Sequence, residues 1–73
     1  NSVTTFTYTF RYTADVKFLN TKNTYSFDIF INDQYYGSNL SEIQVNDSDV
    51  VRIDIVKNNI NEDSYIEVEC TLI

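Results

Sequence analysis

The chain contains no histidine, proline, tryptophan or methionine, and has one glycine (Gly37) and one cysteine (Cys70). Without histidine, the common zinc-ligand spacings and the usual base of a serine or cysteine nucleophile are absent. One glycine cannot build a glycine-rich phosphate loop. One cysteine cannot close an internal disulfide, and at an apolar strand position Cys70 reads as a small core residue. No apolar run approaches the ~20 residues of a membrane-spanning helix. Five basic against eleven acidic residues give a net charge of −6. That charge disfavours nucleic acid and anionic membranes, which both call for a basic patch. Neither is an expected partner.

With proline absent and glycine nearly so, asparagine, present nine times, must make the turns. It tolerates left-handed backbone conformations better than most residues. Thr, Tyr, Phe, Val and Ile, which favour strands, dominate the rest of the composition. From Phe6 to Phe18 every even position is apolar or aromatic and every odd one is polar, a period of two without a break. Straight, this stretch would measure roughly 40 Å. A globule of this length is only about 30 Å across. One of two outcomes is expected. Either the strand bends or switches sheets near Arg11–Ala14, or its first half, with Phe6, Tyr8 and Phe10, extends to pair with another copy or a neighbour.

Further strands are expected over 24–31, from Gln34 to Tyr36, over 50–57 and over 65–73. On 24–31, Tyr25, Phe27, Ile29 and Ile31 share a face, and Phe30 interrupts the polar one. On 50–57, Val51, Ile53 and Ile55 point inward. On 65–73, Ile66, Val68, Cys70 and Leu72 point one way. Asn20–Asn23, Asn46–Asp49 and Asn58–Asp63 read as turns, and Asn32-Asp33 as a two-residue hairpin turn. Residues 39–45 admit either one helical turn capped by Asn39 and Glu42 or a short strand. No segment of ten or more residues has a helical period. The expected fold is therefore all-β: one small antiparallel β-sandwich domain over 1–73, of five to seven strands. A β-grasp fold would need a real helix between its hairpins.

Such a short chain buries a small fraction of its surface and is marginally stable alone. With no disulfide or metal set to support it, the expected support is a protein partner or a homo-oligomer. A chain beginning at Asn1 is also expected to be a fragment of a larger protein. Glu67 and Glu69 lie roughly 7 Å apart along one strand face. They read better as solvated charges, with Arg52 on a neighbouring strand as a possible partner, than as a catalytic pair. The Asn46–Asp49 turn offers hard oxygen ligands but lacks the alternate spacing of an EF-hand loop. No enzyme activity, cofactor or metal is expected. The segment from Asn32 to Asn39 sets Tyr35 and Tyr36 beside Asn32, Asp33, Gln34 and Asn39. Aromatic faces next to amides suit a glycan or a protein.

The stretch IQVNDSDVVRIDI, from Ile43 to Ile55, resembles a pattern of immunoglobulin-like modules: a short strand, a polar turn ending in Asp, then an alternating strand. Such modules recur in bacterial surface proteins and tailed-phage structural proteins. The resemblance implies a non-catalytic module for assembly or surface contact, extracellular or on a virion. A small carbohydrate-binding module using Tyr35 and Tyr36 is the alternative.

Overall fold

The computed structural model describes residues 2–73, and its regular structure is all β. Seven strands run in chain order: β1 (Val3–Thr9), β2 (Ala14–Lys22), β3 (Thr24–Ile31), β4 (Gln34–Ser38), β5 (Glu42–Val45), β6 (Val50–Lys57) and β7 (Tyr65–Leu72). They form two antiparallel sheets, ordered β1-β6-β3-β4 and β5-β2-β7. The molecule measures 37 × 23 × 17 Å.

The long alternating stretch switches sheets. β1 belongs to the first sheet and β2 to the second, with the crossing at Phe10–Thr13. Phe10, 5% exposed, is the pivot. Its N–H donates to the Asp49 carbonyl (2.9 Å), and its own carbonyl accepts from the Ser48 N–H (2.8 Å). The side chain can then stay on the apolar face while the backbone changes partners.

The buried core comes from Phe10 and from four strands: Ala14 and Val16 of β2, Phe27 and Ile29 of β3, Ile43 and Val45 of β5, Val51 and Ile55 of β6. Apart from the smaller Ala14, each such side chain contributes roughly 1.5–3 kcal/mol when fully buried. Phe18, Ile31, Leu40, Ile53 and Ile66 pack around them. Gly37 allows a close approach: a Cβ there would lie 2.9 Å from a Leu40 methyl. No residue of β1 or β7 is fully buried.

The turns rest on asparagine. Asn32 (φ 52°) and Asp33 (φ 66°) make the two-residue turn of the β3–β4 hairpin. Both central residues are left-handed, as the strand twist prefers. Asn32 also ties this turn to the next one. Its N–H donates to the Val50 carbonyl, its Oδ1 accepts from Val50 N–H, and its Nδ2 donates to Asp49.

Several sequence expectations need correction. β2 runs through to Lys22, so the expected four-residue turn contracts to Asn23 alone (φ 50°). Of the two readings open for residues 39–45, the structure has the short strand, at Glu42–Val45, because Ile43 and Val45 alternate into the core beside β2. Asn39 (φ 53°) instead pins β3, exchanging bonds with the Phe27 backbone through its own N–H and Oδ1. Tyr25 leaves the inner face because the pairing with β6 slips between Thr24 and Ser26; it is 76% exposed. Cys70 is exposed, not core. Glu67 and Glu69 cannot face Arg52, which lies in the other sheet. Glu67 instead accepts from Asn20 Nδ2 (2.8 Å), and Glu69 lies opposite Lys17.

Asn23 organises the loop before β7. Its Nδ2 donates to the Asn59 (2.8 Å) and Glu62 (3.0 Å) carbonyls, and its Oδ1 accepts from Asn59 N–H (2.8 Å). Its carbonyl accepts from the buried Ser64 hydroxyl (2.7 Å). Asn23→Ala should lower unfolding free energy by about 2–3 kcal/mol, combining lost hydrogen bonds with left-handed strain. Asn23→Gly should recover only the strain portion. Urea denaturation checks both; an unchanged midpoint for the alanine variant would contradict this role.

Candidate functional site

The sandwich closes on one side and stays open on the other. At the open side lie β1 and β7, each an edge strand of its sheet. Their inward side chains have no complete cover: Phe6 is 47% exposed, Tyr8 55% and Val68 45%. Between them is an apolar groove of about 380 Å³. Phe6, Tyr8 and Val68 form its walls, with Phe10, Val16, Phe18, Ile43, Val51 and Ile53 deeper in. A second hollow of about 200 Å³ prolongs it, sharing Phe6, Ile53 and Val68 and reaching Ile55 and Ile66. Of the three residues expected to make an oligomer contact, Phe6 and Tyr8 are therefore half-exposed walls. Phe10 is buried on the core side, its ring edge-on to Tyr8 (centroids 4.9 Å) and Tyr12 (6.0 Å).

The groove is nearly free of charge. Its polar groups are hydroxyls and a thiol: Thr7, Tyr8, Tyr12 and Cys70. The Tyr8 phenol, then burial, then the Cys70 thiol raise the Tyr12 phenol above its ordinary range. An apolar cleft of this kind offers shape and dispersion contacts.

Backbone groups border the groove as well. Phe10 N–H bonds to β6's side of the sheet at Asp49, and Lys57 N–H donates to the Ser2 carbonyl. These pairs fix the alternation along β1. The even residues Thr4, Phe6 and Tyr8 spend their N–H and C=O groups on β6. Those of Val3, Thr5, Thr7 and Thr9 point out from the free edge.

The second candidate patch, from Asn32 to Asn39, lies at the opposite edge, on β4 and its turns. Asn32 and Asn39 are committed to turn bonds. Asp33 stands 3.9 Å from Arg52 and is otherwise open to solvent. Tyr35 stacks edge-on against Phe30 (5.7 Å), and its hydroxyl shares a hydrogen bond with Ser38, which in turn donates to Asp28. The Arg52 guanidinium covers the Phe30 ring at 4.0 Å, with its Nε 3.4 Å from Asp54. Phe30 thus nucleates a small outer-face cluster. Tyr36 falls where the β3–β4 register slips, opposite no residue of β3, and is half-exposed, as Tyr35 is. Gln34 is exposed on the same strand. The structure brings Tyr35 together with Phe30 and Arg52, a grouping that adjacency in sequence does not reveal.

The Asn46–Asp49 turn uses its oxygens internally. Asp49 accepts from Asn46 N–H (2.8 Å) and Asn32 Nδ2 (3.0 Å). Among the described residues no cluster of three or more His, Cys, Asp or Glu could hold a metal ion. Val68 and Cys70 escaped the sequence reading as groove residues. Their period-two pattern matches that of a covered strand, and only the sheet order leaves them open. Comparison with known protein families, curated proteins and solved structures finds no match for this chain.

Proposed function

We propose that this chain is a non-catalytic interaction module of a larger extracellular or virion protein, working by assembly or surface contact through the β1 side of its groove. The observation that carries the reading is the uncovered apolar wall of Phe6 and Tyr8 beside a strand edge with free backbone donors and acceptors. Contiguous apolar exposure of this kind marks interaction sites. An extended partner segment can meet both needs at once: main-chain bonds to the edge and side chains over the groove. The immunoglobulin-like resemblance of Ile43–Ile55 points to the same class of module.

A Phe6→Ser/Tyr8→Ser double variant separates contact from core. The isolated variant should fold and lose about 1–2 kcal/mol, because both rings are half-exposed already. Phe27→Ala, in the buried core, should lose about 3–5 kcal/mol. In the intact parent protein the double variant should fail to assemble. Normal assembly of a folded double variant would overturn the reading.

The exposed rings of Tyr35 and Tyr36 favour a second reading, a carbohydrate-binding surface on β4. A glycan array should then show binding that Tyr35→Ala and Tyr36→Ala abolish. No binding by the parent chain would end that reading.

A further inference from the structure

We propose that the partner at the β1 edge is β1 of a second copy of this chain, joined antiparallel about a two-fold axis at Phe6. This deepens the contact reading above and rests on it. The two sheets leave four strand edges open, those of β1, β4, β5 and β7. β5 is four residues long and carries Glu42. β4 is five residues long and is broken by a register slip. Short length, charge and bulges are the devices that keep edges from pairing. β7 is long, but carries Glu67 and Glu69. A symmetric β7 pair centred on Val68 or Glu69 sets these carboxylates against those of the copy, which is unfavourable.

β1 has none of these protections. Its seven residues, VTTFTYT, include no charge and no glycine, and pair with β6 without a slip. In a chain of net charge −6, two copies repel each other overall. A neutral strip is where they can approach.

The register follows from the backbone. The outward groups belong to the odd residues, so those residues must exchange hydrogen bonds across the new edge. Pairing Thr5 with Thr7 of the copy, and Val3 with Thr9 of the copy, uses all four odd positions twice. That makes about eight backbone hydrogen bonds. On the outer face two Thr5–Thr7 pairs, favourable across strands, are flanked by two Val3–Thr9 pairs. On the inner face Phe6 meets Phe6 of the copy in a pair without hydrogen bonds, where side chains come closest. Tyr8 meets Thr4. Each copy thereby covers the other's exposed wall. The two four-stranded sheets become one continuous sheet of about eight strands.

The test is sedimentation of the whole chain from low micromolar to submillimolar concentration. A reversible dimer is expected, strengthened by salt that screens the net charge. Thr7→Pro removes an outward N–H while leaving the β1–β6 bonds intact. It should weaken the dimer about tenfold or more with the fold retained. Should that variant not fold, Thr7→Lys, which charges the ladder, takes its place with the same expectation. In a Cys70→Ser background, Phe6→Cys should form an intermolecular disulfide and Thr7→Cys should not, because only the first pair sits on the axis.

A chain that stays monomeric throughout overturns the second-copy inference. So does a dimer indifferent to the Thr7 substitutions. Neither result touches the contact reading if the Phe6→Ser/Tyr8→Ser variant still fails to assemble in the parent protein.

Discussion

Phe10 and the crossing beside it set the terms for the rest of the molecule. A continuous apolar face from Phe6 to Phe18 cannot be buried by one sheet of a small domain. The chain passes it from one sheet to the other. The exchange works because Phe10 anchors the side-chain face while the Ser48–Asp49 turn takes its backbone bonds. That same turn is tied to the Asn32-Asp33 hairpin through Asn32 and Asp49. One buried ring and two short turns therefore fix the relative placement of β1, β2, β3 and β6.

The crossing also explains why the sandwich is open. With β1 and β2 in different sheets, the halves of the alternating stretch meet different fates. Val16 lies between β5 and β7, and its side chain is covered. Phe6 has β6 on one side only, and no inner-face strand of the other sheet closes over it. The apolar periodicity is identical at both positions. Cover by neighbouring strands and by the facing sheet together decides exposure, and that cover is a property of topology: Ile43 and Val45 are buried although β5, like β1, is an edge strand.

This marks how far residues alone can be read. Strands 24–31 and 50–57, the Asn32-Asp33 turn and the absence of regular helix were all visible, because period, turn chemistry and missing helical repeats are local. The sheet switch was visible as one of two outcomes, since strand length and globule size conflict. Three features were hidden because each depends on distant partners. Tyr25 is turned out by a bulge whose cause lies in the pairing with β6. The 20–23 segment stays extended because Asn23 borrows its bonds from the loop at Asn59–Glu62. Cys70 and Val68 alternate like core residues, yet edge the groove. At the candidate site, Phe6 and Tyr8 could be named from the sequence, whereas β7's share of the groove could not.

The central claim is that β1 offers a free, unprotected edge beside an uncovered apolar wall. Residue-resolved amide hydrogen exchange on the dilute chain tests it most directly. The account predicts alternation along one strand: Thr4, Phe6 and Tyr8 protected by β6, and Thr5, Thr7 and Thr9 exchanging freely until a partner strand is bound. Equal protection of all six amides in dilute monomer would contradict it, because the edge would then already be covered within a single chain.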